Sequence, residues 1–511
     1  MSRANAQANG GCTMRWLRTA VLALLVLGAI GFAGAVTAVF VRPELMPPGP
    51  YHPRGIYYAL RGYRVHPWIR VDPVKSYTLK VWSTRWPLFR GGYGYDDLID
   101  ETRAEFRALY PNVQVEYVLL KLDEIGDAIT QAVDNNTQPD VCVAPFDSSL
   151  VESGAVVPID AFMDRTVAGD AGADAFEPRA LQALTIEGRV WAWPSWIAVQ
   201  AWAGNAQLLR KAGVDVERVM TFGWSYDDVL AMARALAAQQ AGVDERYRTY
   251  PLVLETTSTA TLDTLMRAAG KALAVNADGS LAWGGASLAE TLSFLEEARD
   301  EDAFPEPVPR MGERMLELFW TGRAAVIGPV GPGFARHVRE RLERIAKGEF
   351  PSAREGVEPV LLPIPHPPGR EANSCTSVTS VMAFRRPGPG GEDAARLAVE
   401  FARELARKEA LWLAKEMCVV PAHLGDRQEV LGMIGPDGAS ERFLTLSAAS
   451  GTPCGHRSAR LALMEKDVRT RAIAPALAEF WEGTLRARDF DAYVARLLAS
   501  GAPAPERVKR N

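Results

Sequence analysis

The chain has 511 residues and a formal net charge of −5, with 57 Lys and Arg against 62 Asp and Glu. That length is too great for one ordinary core and predicts at least two lobes, while the lack of a net basic field excludes nucleic acid as a partner. Five cysteines are few for a disulfide scaffold and the six histidines show no HExxH spacing, so no metal and no other cofactor is expected.

In chain order, the first element is the run Ala20–Val41 (AVLALLVLGAIGFAGAVTAVFV), which contains no charge. A helix needs about 20 apolar residues to cross the hydrocarbon core. Arg3, Arg15 and Arg18 precede the run and no acid lies before Glu44, so the positive-inside bias assigns residues 1–19 to a cytoplasmic tail and the rest to the outside. A cleavable signal peptide has a shorter apolar core of about 7–15 residues. Val36-Thr37-Ala38 would be its cleavage site, but the length of the run favours a retained signal anchor at 20–41. Cys12 precedes the run, which excludes a lipoprotein signal.

Residues 42–75 are rich in proline, glycine and tyrosine, a composition that suits a semi-rigid linker. Tyr77–Trp82 then alternates as a strand, Tyr95–Tyr110 has helical periodicity, Val113–Leu119 alternates again, and Pro139–Ala144 is the short apolar run of a parallel strand. Downstream the spacing predicts helices over Trp224–Ala238, Leu288–Arg299 and Arg310–Trp320. Strands are predicted over Tyr250–Leu254, Ala324–Ile327, Val357–Pro363 and Val378–Phe384. The chain closes in helices over Ala394–Met417, Glu441–Ala449, Ala459–Trp481 and Phe490–Ser500, the third interrupted at Pro475. Strand and helix alternate throughout, so the class is α/β. His366 and His423 stand beside proline or in loops and read as surface histidines. Cys142, Cys375, Cys418 and Cys454 fall on the outer side, where bridges are allowed, and sequence alone leaves their pairing open.

Taken in order, these segments resemble the family 1 extracellular solute-binding proteins of ABC importers, the maltose-binding-protein-like group. FRALYPNVQV at Phe106–Val115 and QPDVCV at Gln138–Val143 match the early helix and strands, and ESGAVVPI at Glu152–Ile159 with GRVWAWP at Gly188–Pro194 matches the approach to the hinge. NAQLLRKAG at Asn205–Gly213 with Gly223-Trp224 and Asp227-Asp228 is similar to the family's YNK…G…TW-E segment. FWTGRAAVIGP at Phe319–Pro329 is similar to F-x-x-G-x-A-A-M-x-x-G-P, and APALAEFW at Ala474–Trp481 to a late helix that supplies an aromatic to the sugar site. The family's usual tyrosine before the landmark asparagine is Gly204 here, and the aromatic that often follows Gly-Pro is Val330. Residues 332–356 read as a charged helical insertion without an assigned role.

The resemblance implies a two-lobe periplasmic-binding-protein fold of type II over residues 76–500. The lobes are discontinuous in sequence, the first crossing lies near 190–205, and a hinge lets the lobes close on a solute. It implies a monomeric binding protein that hands a sugar or oligosaccharide to the permease subunits of an ABC importer. A sugar cleft needs flat apolar faces for the ring and partners for the hydroxyls. Thirteen tryptophans supply the first ingredient. Trp82, Trp86, Trp196 and Trp481 are assigned to the cleft as platforms, while Trp224, Trp320 and at least one of Trp191 and Trp193 are assigned to packing. Asp147 and Glu255 leave strand ends where family members place hydroxyl acceptors, although an ordinary surface acid fits either position equally well. Asp140 and Asn205 read as structural. On this reading, Trp196→Ala and Trp481→Ala lose ligand-induced stabilisation with little change in the unliganded protein.

Two other classes are weighed. A glycoside hydrolase needs two facing carboxylates, and among 62 acids nothing selects a pair; there is no G-x-S-x-G elbow or Walker loop, and no catalytic residue is assigned. A ligand-binding partner of a separate membrane sensor is compatible with the short cytoplasmic tail.

Overall fold

The computed structural model describes residues 53–84, 94–121, 124–163, 172–240, 242–305, 313–331, 333–349, 357–371, 373–386, 391–433 and 458–500, with a few isolated positions besides. The chain divides into two compact units, Met1–Asp72 and Pro73–Asn511. In the first, the helix Pro53–Leu60 sets Tyr58 against Tyr63 and His66, with ring centroids 5.7 and 6.0 Å apart. Part of the stretch expected as a linker is therefore helical. The run Ala20–Val41 lies almost wholly outside the described residues, and among those described no helix is long and apolar enough to cross a membrane.

The second unit begins with β1 (Tyr77–Thr84), where alternate residues Tyr77, Leu79 and Val81 are buried, as a strand period of two requires. The helix Tyr95–Leu109 turns Leu98, Ile99, Thr102 and Phe106 inward, and Asp97 fastens its start by accepting the Gly94 N–H at 2.5 Å. β2 (Val113–Leu120) and β3 (Val141–Pro145) both run parallel to β1, one on each side. Asp140, read as structural, accepts the Lys80 N–H at 2.7 Å and pairs with Arg386, so it ties β3 to β1.

The region where the first crossing is expected holds a single strand, β4 (Trp193–Asn205), 13 residues long. The remaining strands of this sheet are β5 (Tyr250–Leu254), β6 (Ala324–Val330), β7 (Pro359–Leu362), β8 (Cys375–Ala383) and β9 (Val420–Pro421). Their order is β2-β1-β3-β8-β4-β6-β5, with β7 and β9 also paired to β4. The first half of β4 pairs antiparallel with β8, from Trp193↔Val381 to Gln200↔Cys375. Its second half pairs with β7, from Trp202↔Leu362 to Asn205↔Pro359, and with β6. One strand thus serves two sub-sheets, each carrying its own helices. Gly204 lies within the second of them, between β6 and β7: a Cβ there would lie 2.7 Å from methyl groups of both Leu209 and Leu362, so there is no space for the larger residue of the resembling family. Asn205 accepts the Gln207 N–H and starts the next helix, the structural role expected of it.

The first sub-sheet is covered on both faces. Trp82, Leu120, Cys142 and Met382 join one apolar cluster, whereas Leu119 and Trp196 join Tyr95, Leu98 and Trp412 in another. Adjacent strand residues such as Leu119 and Leu120 point to opposite faces, so these clusters lie on opposite sides of the sheet. Beneath the second, Tyr95 donates to the fully buried Glu409 at 2.8 Å and lies 2.5 Å from Ser83 Oγ. Burial pushes the Tyr95 phenol well above its ordinary value, and the Glu409 charge adds to that. The second sub-sheet packs on a core of Trp202, Trp224, Trp283 and Phe294, joined by Ile473, Leu477, Phe480 and Phe490 from the end of the chain.

Two local expectations are revised. His423 is buried, 3.0 Å from the Asp426 carboxylate and against the Phe176 ring, because its backbone bridges to Phe176 just before the helix Leu424–Met433. Pro475 does not interrupt its helix: Ala459–Val468 passes through a wide π turn at Arg469–Ile473 into Ala474–Trp481, and the wider turn accommodates a proline that has no N–H to give. Within the insertion, Gly333–Ala346 is a helix whose buried Arg336 donates to the Glu416 carbonyl and carboxylate at 2.6 and 2.8 Å. That places a cation at the negative end of the Gly391–Met417 helix. The helix expected over Glu441–Ala449 and Cys454 lie outside the described residues. Cys142, Cys375 and Cys418 are buried thiols, not disulfides.

Candidate functional site: the crevice at the strand ends

In open α/β sheets ligands bind outside the carboxyl ends of parallel strands. Here those ends belong to β1, β2 and β3 in the first sub-sheet and to β5 and β6 in the second. Asp147 follows β3 and accepts the Ser149 N–H and hydroxyl at 2.9 and 2.6 Å through Oδ1, which caps the short helix Ser148–Ser153. Its Oδ2 faces the Lys466 ammonium at 3.5 Å. Glu255 follows β5, and its own N–H donates to the Gly328 carbonyl at 2.8 Å. Its carboxylate is held by the Thr257 N–H at 2.7 Å and the Ser258 hydroxyl at 2.6 Å. Both acids are thus oriented at strand ends by their own loops, one in each sub-sheet.

The tryptophans divide differently. Trp82 is half-buried near the end of β1 and packs beside Cys142. Trp86 lies outside the described residues. Trp196 and Trp481 are each only 8 % exposed. Trp196 packs with Tyr95, Ile99 and Trp412 on the sheet face opposite Trp82, and Trp481 meets Phe304 edge to face at 5.9 Å in the second core. Their expected behaviour in the unliganded protein is therefore corrected: a packed ring holds neighbours on several sides, so truncating either one costs apo stability. The packing assignments agree with the structure. Trp224 and Trp193 are fully buried with indole N–H groups donating to Pro363 and Val399 carbonyls, and Trp320 stacks on Phe334 at 5.5 Å.

The residues that sequence reasoning missed lie on the helix Ala459–Val468 and the π turn after it. Glu465 accepts the Ala274 and Val275 N–H groups at 2.9 and 2.8 Å and pairs with Arg469 at 2.6 Å. Arg469 also pairs with Asp263 and lies 4.4 Å from the centroid of the Trp283 ring. Burial works against its charge, but the Asp263 and Glu465 carboxylates outweigh that and hold the guanidinium protonated. The spacing of Glu465 and Arg469 was a visible i,i+4 signal; their partners, distant in the chain, were not. Among the described residues no group of acids, histidines or cysteines is arranged to hold a metal ion.

A family model for bacterial extracellular solute-binding proteins matches residues 86–373, more than half of the chain. No match was found among curated proteins. Among solved structures, the GacH receptor of Streptomyces glaucescens, determined unliganded and with acarbose, is 16% identical with a TM-score of 0.61, and the alignment covers 83% of this chain and 98% of that one. The ABC substrate-binding protein Lmo0181 of Listeria monocytogenes, in complex with cycloalternan, is 13% identical with a TM-score of 0.62 and coverage of 83% and 99%. The maltose/maltodextrin-binding domain of Bdellovibrio bacteriovorus, bound to maltotriose, is 16% identical with a TM-score of 0.58, again covering 83% and 99%. At such identities the likeness is one of fold: two α/β lobes, here joined through β4.

Proposed function

Because the chain belongs to the bacterial extracellular solute-binding protein family, whose members are binding proteins and not enzymes, we propose that it captures a sugar or oligosaccharide in the crevice between its lobes and delivers it to an ABC importer. The observation that carries this reading is the pair of loop-oriented carboxylates, Asp147 and Glu255, at the carboxyl ends of parallel strands in opposite lobes. Fixed carboxylates accept sugar hydroxyl hydrogen bonds without further loss of side-chain freedom. Trp82, near the end of β1, is the proposed ring platform on the same rim, and Trp86, four residues on in the sequence, is proposed as a second. The structures of similar fold named above hold acarbose, cycloalternan and maltotriose, which makes neutral glucosides the first ligands to try. We further propose that Ala20–Val41 anchors the chain in the membrane, with the binding unit outside.

A thermal-shift screen of the full chain against a panel of oligosaccharides tests the ligand class. At about 100 times Kd, a ligand adds about 2.7 kcal/mol to stability. Asp147→Asn removes a charged acceptor and is expected to weaken the best ligand about tenfold, near the lower end for hydrogen bonds to charged groups. A panel that leaves the melting temperature unchanged throughout would remove the carbohydrate reading, and release of hydrolysed product would favour the hydrolase instead. Carbonate extraction decides the anchor: a chain that leaves the membrane in the soluble fraction contradicts it.

A further inference from the structure

The helix Ala459–Val468 belongs firmly to one lobe and touches the other. Through Glu465 it is bonded to the backbone of Ala274 and Val275, and through Arg469 to Asp263 and the Trp283 face. Its continuation buries Ile473, Leu477 and Phe480 in the core of the second lobe. On its other side it packs against Ser148–Ser153, whose Leu150 is buried in the first lobe with Cys142 and Met382. At that junction stands the Lys466–Asp147 ion pair, at 3.5 Å, with side-chain exposures of 51% and 34%. The two charges differ in kind from the Glu465–Arg469–Asp263 set. Those three are mostly buried and fixed within one lobe, whereas Lys466 spans from one lobe to the other and reaches solvent.

We infer that Lys466 and Asp147 form an electrostatic latch that holds the two lobes together in the unliganded protein, and that a neutral ligand must take the Asp147 carboxylate from Lys466 in order to bind there. The inference rests, for its second half, on the reading of Asp147 as a hydroxyl acceptor. Since Oδ1 is occupied by Ser149, Oδ2 is the atom that Lys466 and a ligand hydroxyl compete for. An exposed pair contributes little and is screened by salt, which suits a contact that has to be broken in every binding cycle. A distinctive consequence follows for an uncharged ligand. Salt cannot act on the ligand itself, so any salt dependence of its affinity reports a protein ion pair opened on binding.

The test uses the full chain without ligand. Amide hydrogen exchange over Ser148–Ser153 and Ala459–Val468 is compared for the parent, for Lys466→Met, and for the charge-exchanged protein carrying Asp147→Lys with Lys466→Asp. Exchange is expected to rise about two- to fivefold in Lys466→Met and in the parent at high salt, the range that a half-exposed pair supports, and to return toward the parent rate over Ala459–Val468 in the charge-exchanged protein, where Ser148–Ser153 is not a readout because Asp147→Lys also removes its cap. Equal rates in parent and Lys466→Met at low salt would overturn the latch. Maltotriose is the probe for the second half: Lys466→Met should bind it two- to threefold more tightly than the parent at low salt and lose the parent's salt dependence. An unchanged affinity in Lys466→Met would overturn the competition for Asp147. Failure of maltotriose to bind the parent counts against the carbohydrate reading, while the exchange rates decide the latch independently.

Discussion

Trp224→Ala is expected to lower the stability of the unliganded protein by roughly 3–5 kcal/mol, the range for truncating a large aromatic in a packed core. Trp224 is 1% exposed and lies edge to face with Trp202 at 6.0 Å, in the middle of the second lobe's largest cluster. Its indole N–H donates to the Pro363 carbonyl at 2.8 Å, and its own carbonyl accepts the His366 N–H at 3.1 Å. Truncation therefore leaves a cavity and also an unsatisfied acceptor, and the second adds about 1–3 kcal/mol when the acceptor stays dry. Trp224→Phe separates the two effects, since it keeps much of the volume and removes only the donor; it should fall well short of the alanine loss. Denaturant midpoints for the two variants, at constant slope, measure both. If Trp224→Ala unfolds within 1 kcal/mol of the parent, on the order of an ordinary surface substitution, this account of the core fails.

Gly328→Ala is expected to be destabilising by about 3 kcal/mol, the upper end of what adding one methyl to a filled core costs. A Cβ at Gly328 would lie 2.3 Å from Trp202 Cδ1 and 2.7 Å from its Nε1. Trp202 cannot swing aside, because it is fully buried with Trp224 against it. The backbone cannot shift freely either, since the Gly328 carbonyl accepts the Glu255 N–H at 2.8 Å where β5 lies beside β6. Gly331→Ala is the control. A Cβ there meets nothing within 4 Å, and that variant should behave as the parent. Combining Gly328→Ala with Trp202→Phe makes space for the methyl, so the double variant should be more stable than the sum of the single losses predicts. Simple additivity would show that the two residues do not share the strain.

By itself the sequence determined those features that depend on neighbours a few residues away. Alternation at Tyr77–Trp82, the apolar run Tyr250–Leu254 and the 3.6-residue spacing over Tyr95–Tyr110 marked elements that the structure contains with ends moved by at most two residues. Their order carried the α/β class and the family. The burial of Trp224 was also legible, because its segment matched a landmark whose role is packing. Only the tertiary structure decided which face each element turns to which partner. Periodicity says that one side of a strand is apolar, yet not whether helices cover the other side as well, and Trp196 is buried because they do. Trp481 ends a helix whose inward face was set by Phe304, from a different part of the chain. Conversely, Lys466 read as an ordinary helix charge until folding brought Asp147 within 3.5 Å. Pairing across long sequence separations is settled by the closure of many contacts at once, and no local pattern of residue types records it.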